Sequence, residues 1–205
     1  MIMLSPEGHQ KDILETIQRM AYLAEYREKN IRSHLERIRG YAQIIALGLG
    51  LTQNEALIIS YACQLHDIGK VGIPEAIFLK ADSLTPYEWE FVQRHTIIGA
   101  KILEGASSPF LQVGEKIALS HHERWDGSGY PNGLVGENIP LSGRICALAD
   151  VFDALTTKRA YKEEIPAEDA LDLIINSSGQ LFDPKIVKVF KDNFSEVVTV
   201  RQLNT

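Results

Sequence analysis

Cysteine is nearly absent: Cys63 and Cys146 are the only two in 205 residues, far apart and in no CxxC pair. That excludes a disulfide framework and a thiolate zinc site, and leaves both thiols to the core. Long apolar runs are missing as well. Charge interrupts every apolar stretch within about ten residues, so nothing reads as a membrane span. The N-terminus lacks the basic region, apolar block and small-residue site of a secretory leader, which makes the cytoplasm the expected location. Positive charge is not in excess. With 21 Lys and Arg against 27 Asp and Glu, the net charge of −6 argues against a broad surface for polymeric nucleic acid. A small anionic ligand held by a few local cations or metal ions stays open. Internal repeats and low-complexity tracts are absent, and alternating strand patterns are scarce, the best being EVVTVRQL at 196–203.

Helix signals, by contrast, are dense. Thr52 stands three residues before Glu55, and Thr85 three before Glu88 with Pro86 between, so both read as capping boxes. Asp183 followed by Pro184 is a third start, while Gly50, Gly105 and Gly179 sit where helices should stop. Apolar residues between these marks recur at three and four: Ile38, Tyr41, Ile45, Leu49; Leu57, Tyr61, Leu65; Leu148, Val151, Phe152, Leu155. The expectation is an all-α domain of about six to eight helices. Residues 1–30 form a leading or linker helix, and 31–205 the main domain. Ile13, Ile17, Met20 and Leu23 on the leading helix are either a homodimer seam or a face packed on the same chain. One segment cannot be helical. From Asp126 to Gly143, DGSGYPNGLVGENIPLSG carries five glycines and two prolines and reads as a long functional loop.

Six histidines remain, and five of them fall in the helical body: His34, His66 next to Asp67, His95, and the pair His121 and His122. His9 lies outside it. Asp150 is an isolated acid on an apolar helix. Two helices thus spend adjacent positions on polar groups beside YACQL and EKIALS, and burying such groups unpaired costs several kcal/mol. Metal ions remove the difficulty. Imidazoles and carboxylates suit iron, manganese, zinc or nickel, and a carboxylate can bridge two ions.

The order His34, His66-Asp67, His95, His121-His122, Asp150 resembles the HD superfamily of metal-dependent phosphohydrolases. More narrowly, HDIGKVGIP, HHERWDGSGYP and ADVFDALTTKRAYK resemble the HD-GYP domains, cyclic-di-GMP phosphodiesterases of bacterial signalling, over about residues 31–192. The resemblance implies an HD-domain helical bundle in which the Gly/Pro-rich stretch is the GYP loop. It implies that His34, His66, Asp67 and Asp150 hold one ion and His95, His121 and His122 a second, with Asp67 bridging. Iron or manganese leads, with nickel or zinc compatible. Some members hold a third ion with a glutamate four residues before the first histidine; Asn30 stands there, a weak uncharged ligand, so a dinuclear centre is expected.

The same resemblance places Tyr130 of the GYP loop beside the dinucleotide, a packed loop anchor being its other reading, and sets Lys70, Arg159 and Lys162 against the phosphates. Arg124 is a weaker candidate of the same kind. Lys70 also joins Asp67 in the catalytic set, and Asp153 orients a ligand or Lys70 from behind. Trp89 and Trp125 read as packing. The implied chemistry is in-line hydrolysis of cyclic-di-GMP to linear pGpG, with cleavage on to GMP less expected. The mixed cyclic GMP-AMP dinucleotide stays open as substrate, as does a non-catalytic module that binds cyclic dinucleotide or a GGDEF cyclase. The helix over 12–29 resembles the linker from HD-GYP domains to an upstream sensor or receiver domain.

Overall fold

The computed structural model describes residues 6–28, 30–78, 80, 82–158 and 163–204, with side chains from Gln10 onward. In chain order the helices are α1 (Pro6–Ala24), α2 (Ile31–Gly48), α3 (Gln53–Cys63), α4 (Glu75–Phe78), α5 (Pro86–Gln93), α6 (His95–Leu103), α7 (Pro109–Ser120), α8 (Leu141–Thr156), α9 (Ala167–Asn176), α10 (Pro184–Asp192) and α11 (Phe194–Leu203). Two 3₁₀ turns, Ile68–Gly72 and Gly136–Asn138, complete the set. No strand occurs among the described residues, which carry only two isolated β-bridges.

Eleven α-helices stand among the described residues, against the expected six to eight. The four-residue α4 and the break at Arg94 between α5 and α6 divide what periodicity reads as fewer, longer units. The alternating stretch EVVTVRQL is helical within α11. Tertiary packing overrides its strand-like pattern, because Val197 is buried and Val200 fills a notch in α2 that a side chain on Gly40 would close. The capping boxes form as the sequence predicts. Glu55 N donates to Thr52 Oγ1 at 3.3 Å and Thr52 N donates to Glu55 Oε2 at 2.9 Å, with the same exchange between Thr85 and Glu88. Asp183 Oδ1 accepts from Lys185 N.

The main core joins α2, α3, α7, α8 and the C-terminal helices around Tyr41, Phe152 and Phe190, whose rings meet edge to face at 5.0 to 5.2 Å. A second cluster seats α1. Ile17, Ala21 and Ala24 pack with Ile31, Leu35, Leu65, Ile68, Leu103 and Phe110, and Ile13 and Met20 lie partly buried against them. Three of the four residues read as a possible dimer seam are therefore used by the chain itself, and only Leu23 is exposed. Of the two readings of that set, the structure shows packing on the same chain for these three residues.

Glycine permits one critical approach. The 3₁₀ turn lies so close on α6 that a Cβ at Gly69 would overlap the His95 carbonyl oxygen and the Gly99 nitrogen. This contact brings the chain just after α3 up to the first turn of α6.

The Tyr41 hydroxyl is buried with no hydrogen-bond partner among the described residues. Tyr41→Phe is expected to leave stability unchanged or raise it by up to about 1 kcal/mol. Phe152→Ala should cost about 3 to 5 kcal/mol, both read by urea unfolding.

Candidate metal centre

The polar pairs do not sit within helices as the sequence reading supposed. His66 and Asp67 follow the last turn of α3, and His121 and His122 follow that of α7. The position matters because helix ends leave free carbonyls. His66 Nδ1 lies 2.9 Å from Cys63 O, His121 Nδ1 3.0 Å from Ile117 O, and His95 Nδ1 2.6 Å from Val92 O at the end of α5. A carbonyl only accepts, so each Nδ1 carries the proton and each Nε2 presents a lone pair. His34 is fixed by a carboxylate instead, with Nδ1 donating to Asp153 Oδ2 at 2.7 Å.

These lone pairs converge. His95 Nε2 and His121 Nε2 face each other at 3.3 Å, and Asp67 Oδ1 stands 3.2 and 3.6 Å from them. On the other side of Asp67, Oδ2 is 3.2 Å from His66 Nε2, which in turn lies 3.9 Å from Asp150 Oδ1. His66 Nε2 and Asp67 Oδ1 are buried with no hydrogen-bond partner among the described residues. Acceptors aimed at one point need a cation. Ligand atoms about 2.0 to 2.2 Å from one ion stand roughly 3 to 3.5 Å apart, which is the spacing seen here. One donor each from Asp67, His95, His121 and His122 lies within 4.8 Å of the rest, and so do donors from Glu25, His34 and His66. The residues present fit divalent metal ions.

The electrostatics agree. Burial opposes charge on Asp67, yet Lys70 and His66 hold its carboxyl well below the usual range. Burial likewise works against charge on His66, but Asp67 holds it well above its ordinary value, so a proton and a divalent ion compete for its Nε2. Burial, reinforced by His121, drives His122 down to about 2, so that ring is a neutral ligand at any working pH.

Lys70 is placed differently from expectation. A 3₁₀ turn returns position i+3 to the same side, and the ammonium lies 2.7 Å from Asp67 Oδ2, 2.5 Å from Glu28 Oε1 and 3.1 Å from Glu25 Oε2. Three carboxylates engage it, so it neutralises the floor of the site instead of standing free for a phosphate. Asp153 orients His34 and not Lys70. Its carboxylate is gripped by Arg37, Nε to Oδ1 at 2.5 Å and Nη2 to Oδ2 at 2.9 Å.

The loop between α7 and α8 closes one wall. It ends at Pro140, since 141–143 already belong to α8. The Tyr130 ring stacks on His122, centroids 4.7 Å apart at 23°, and Tyr130 N donates to His122 O at 3.2 Å. Gly129 makes this possible: a Cβ there would collide with the backbone of residues 122–124. Burial holds the Tyr130 hydroxyl above its ordinary value. Trp125 packs under Arg144, 5.7 Å from guanidinium carbon to ring centre. Trp89, read as packing, is 46% exposed and meets Tyr130 edge-on. Arg124 is exposed. Arg159 and Lys162 lie outside the described residues.

Three residues escaped the sequence reading. Arg37 stands one turn after His34, where a cation on a surface helix is unremarkable. Glu123, directly after the histidine pair, is 3% exposed and accepts from Asn132 N at 2.8 Å and Leu134 N at 3.0 Å, which ties the loop down. Glu25 follows α1 and joins His34 and His66; an acid after MAYLA carries no local signal.

The HD domain family matches residues 18–186. A cyclic di-GMP phosphodiesterase of Thermotoga maritima is 44% identical over 188 residues, which cover 92% of this chain and 51% of that protein. The cyclic di-GMP phosphodiesterase response regulator RpfG of Xanthomonas campestris pv. campestris is 49% identical over 84% of this chain and 46% of its own length. A 3'3'-cGAMP-specific phosphodiesterase 2 of Vibrio cholerae serotype O1 is 40% identical, covering 91% and 36%. This chain belongs to the HD domain family. It spans about half the length of the first two relatives.

Asp153→Asn keeps the shape but loses the charge that aligns His34. It is expected to weaken metal binding about 10 to 100-fold, measured by competition with a chromophoric chelator, with helical content unchanged.

Proposed function

We propose that this chain is the hydrolytic module of a cyclic-di-GMP phosphodiesterase, converting the cyclic dinucleotide to linear pGpG in the bacterial cytoplasm. The observation that carries the reading is the convergence of imidazole lone pairs on Asp67 beneath a GYP loop. The names of the relatives supply the substrate class.

His95, His121, His122 and Asp67 would hold one divalent ion, and His34, His66, Asp150 and Asp67 a second, with iron or manganese best suited to this mixed nitrogen and oxygen set. When bound, such ions act as Lewis acids on phosphoryl oxygens and lower the pKa of water for in-line attack. The chain's own residues do the positioning. Backbone carbonyls and Asp153 fix the imidazole tautomers, and Lys70 keeps Asp67 ionised despite its burial. Tyr130, rigid against His122, presents a hydroxyl and an aromatic edge to ribose or guanine. Arg159 and Lys162 are the cations proposed for the phosphates.

The reading is tested by incubating anaerobically purified chain with cyclic-di-GMP and Mn(II) or Fe(II), products being resolved by ion-exchange chromatography. Chelator-sensitive formation of pGpG is expected. Asp67→Ala should lose more activity than the roughly 10 to 100-fold that removal of a supporting partner costs. Hydrolysis that survives chelation, or none with metal restored, would overturn the proposal.

The Vibrio cholerae relative favours a second reading in which 3'3'-cGAMP is the preferred substrate. Relative kcat/KM for the two dinucleotides decides between them. The RpfG name also makes a receiver domain, or another sensor domain upstream, the natural partner for α1.

A further inference from the structure

One buried carboxylate has no place in the expected ligand set. Glu25, just past the end of α1, is 1% exposed. Its Oε2 meets Lys70, but Oε1 is buried with no hydrogen-bond partner among the described residues. One ligand atom from Glu25 falls within 4.8 Å of one on His34 and one on His66, and His66 Nε2 is itself unpartnered. A single ammonium faces the carboxylates of Glu25, Glu28 and Asp67, and of the three Glu25 and Asp67 are buried. A counter-ion for Lys70 alone would not require Glu25, because Glu28 and Asp67 already lie closer to the ammonium.

We propose that Glu25 is a metal-binding carboxylate of this chain: it joins His34 and His66 around a divalent ion from the end of the leading helix, so that seating of α1 and occupancy of that site are coupled. Asn30, four residues before His34, supplies no carboxylate there. Here Asn30 instead turns the chain through the left-handed region, φ 61°, to start α2. Neighbouring Ile17, Ala21 and Ala24 anchor α1 in the core, so Glu25 reaches the site only while that face is docked. By linkage, an ion that needs Glu25 stabilises the docked helix, and anything that lifts the helix releases the ion by the same factor. The inference rests on the metal reading of the histidine cluster and not on which dinucleotide is cleaved.

The test compares the full chain with its Glu25→Gln variant. Both are stripped with chelator, checked for equal melting temperature, and titrated with Mn(II) in a calorimeter. Amide hydrogen exchange of residues 18–28 is followed with and without Mn(II). The wild type is expected to show slower exchange there when Mn(II) is added. Glu25→Gln should lose that slowing and bind one class of ion more than about tenfold weaker, the other class unchanged. Equal affinities and stoichiometries in both proteins would overturn the inference while leaving the metal centre intact. Failure of the wild type to bind any Mn(II) would overturn the metal reading as well. Should the variant not fold, wild-type exchange alone decides, since residues 18–28 unaffected by Mn(II) would contradict the coupling.

Discussion

The centre depends on a one-way hydrogen-bond rule. Helix-end carbonyls accept and cannot donate, so the imidazoles against them at Cys63, Val92 and Ile117 have their protons on the outer nitrogen and turn lone pairs inward. With His66 Nε2 and Asp67 Oδ1 buried and no hydrogen-bond partner for either among the described residues, the pocket is one of acceptors whose energy falls when something positive enters. The helices converge on the centre because ending α3, α5 and α7 there supplies both the histidines and the carbonyls that aim them.

Around that pocket the protein distributes countercharge unevenly. Arg37 clamps Asp153 behind His34, while Lys70 lies beneath Asp67 among three carboxylates. The first pair is neutral and rigid. The second sets three carboxylates around one ammonium, and that difference separates the two halves of the site. The GYP loop is held independently of both, by Glu123 and by the stacking of Tyr130 on His122.

Much of this was legible before any coordinates. Capping boxes at Thr52 and Thr85 follow from short-range chemistry, and the histidine pairs announce themselves because unpaired polar groups beside apolar runs are costly. Helix number was less legible. A break such as Arg94 leaves three-four periodicity intact, and EVVTVRQL alternates although its valines pack on α2. Lys70 read as a phosphate ligand because its spacing from Asp67 is visible, whereas its glutamate partners lie 42 and 45 residues earlier. Glu25 and Arg37 were illegible for the same reason. Their significance is a matter of which distant groups they meet, and nothing in their immediate neighbours marks them.

Arg37 carries one further contact. Besides gripping Asp153, its guanidinium donates through Nη1 to the carbonyl of Asn204 at 2.8 Å, just beyond α11. The imidazole of His34 is thereby wired to the far end of the fold through a carboxylate and an arginine. A fusion partner or trimming enzyme that unwinds the final turn would untether the guanidinium, and the loss would surface some thirty residues into the chain, where nothing had been cut.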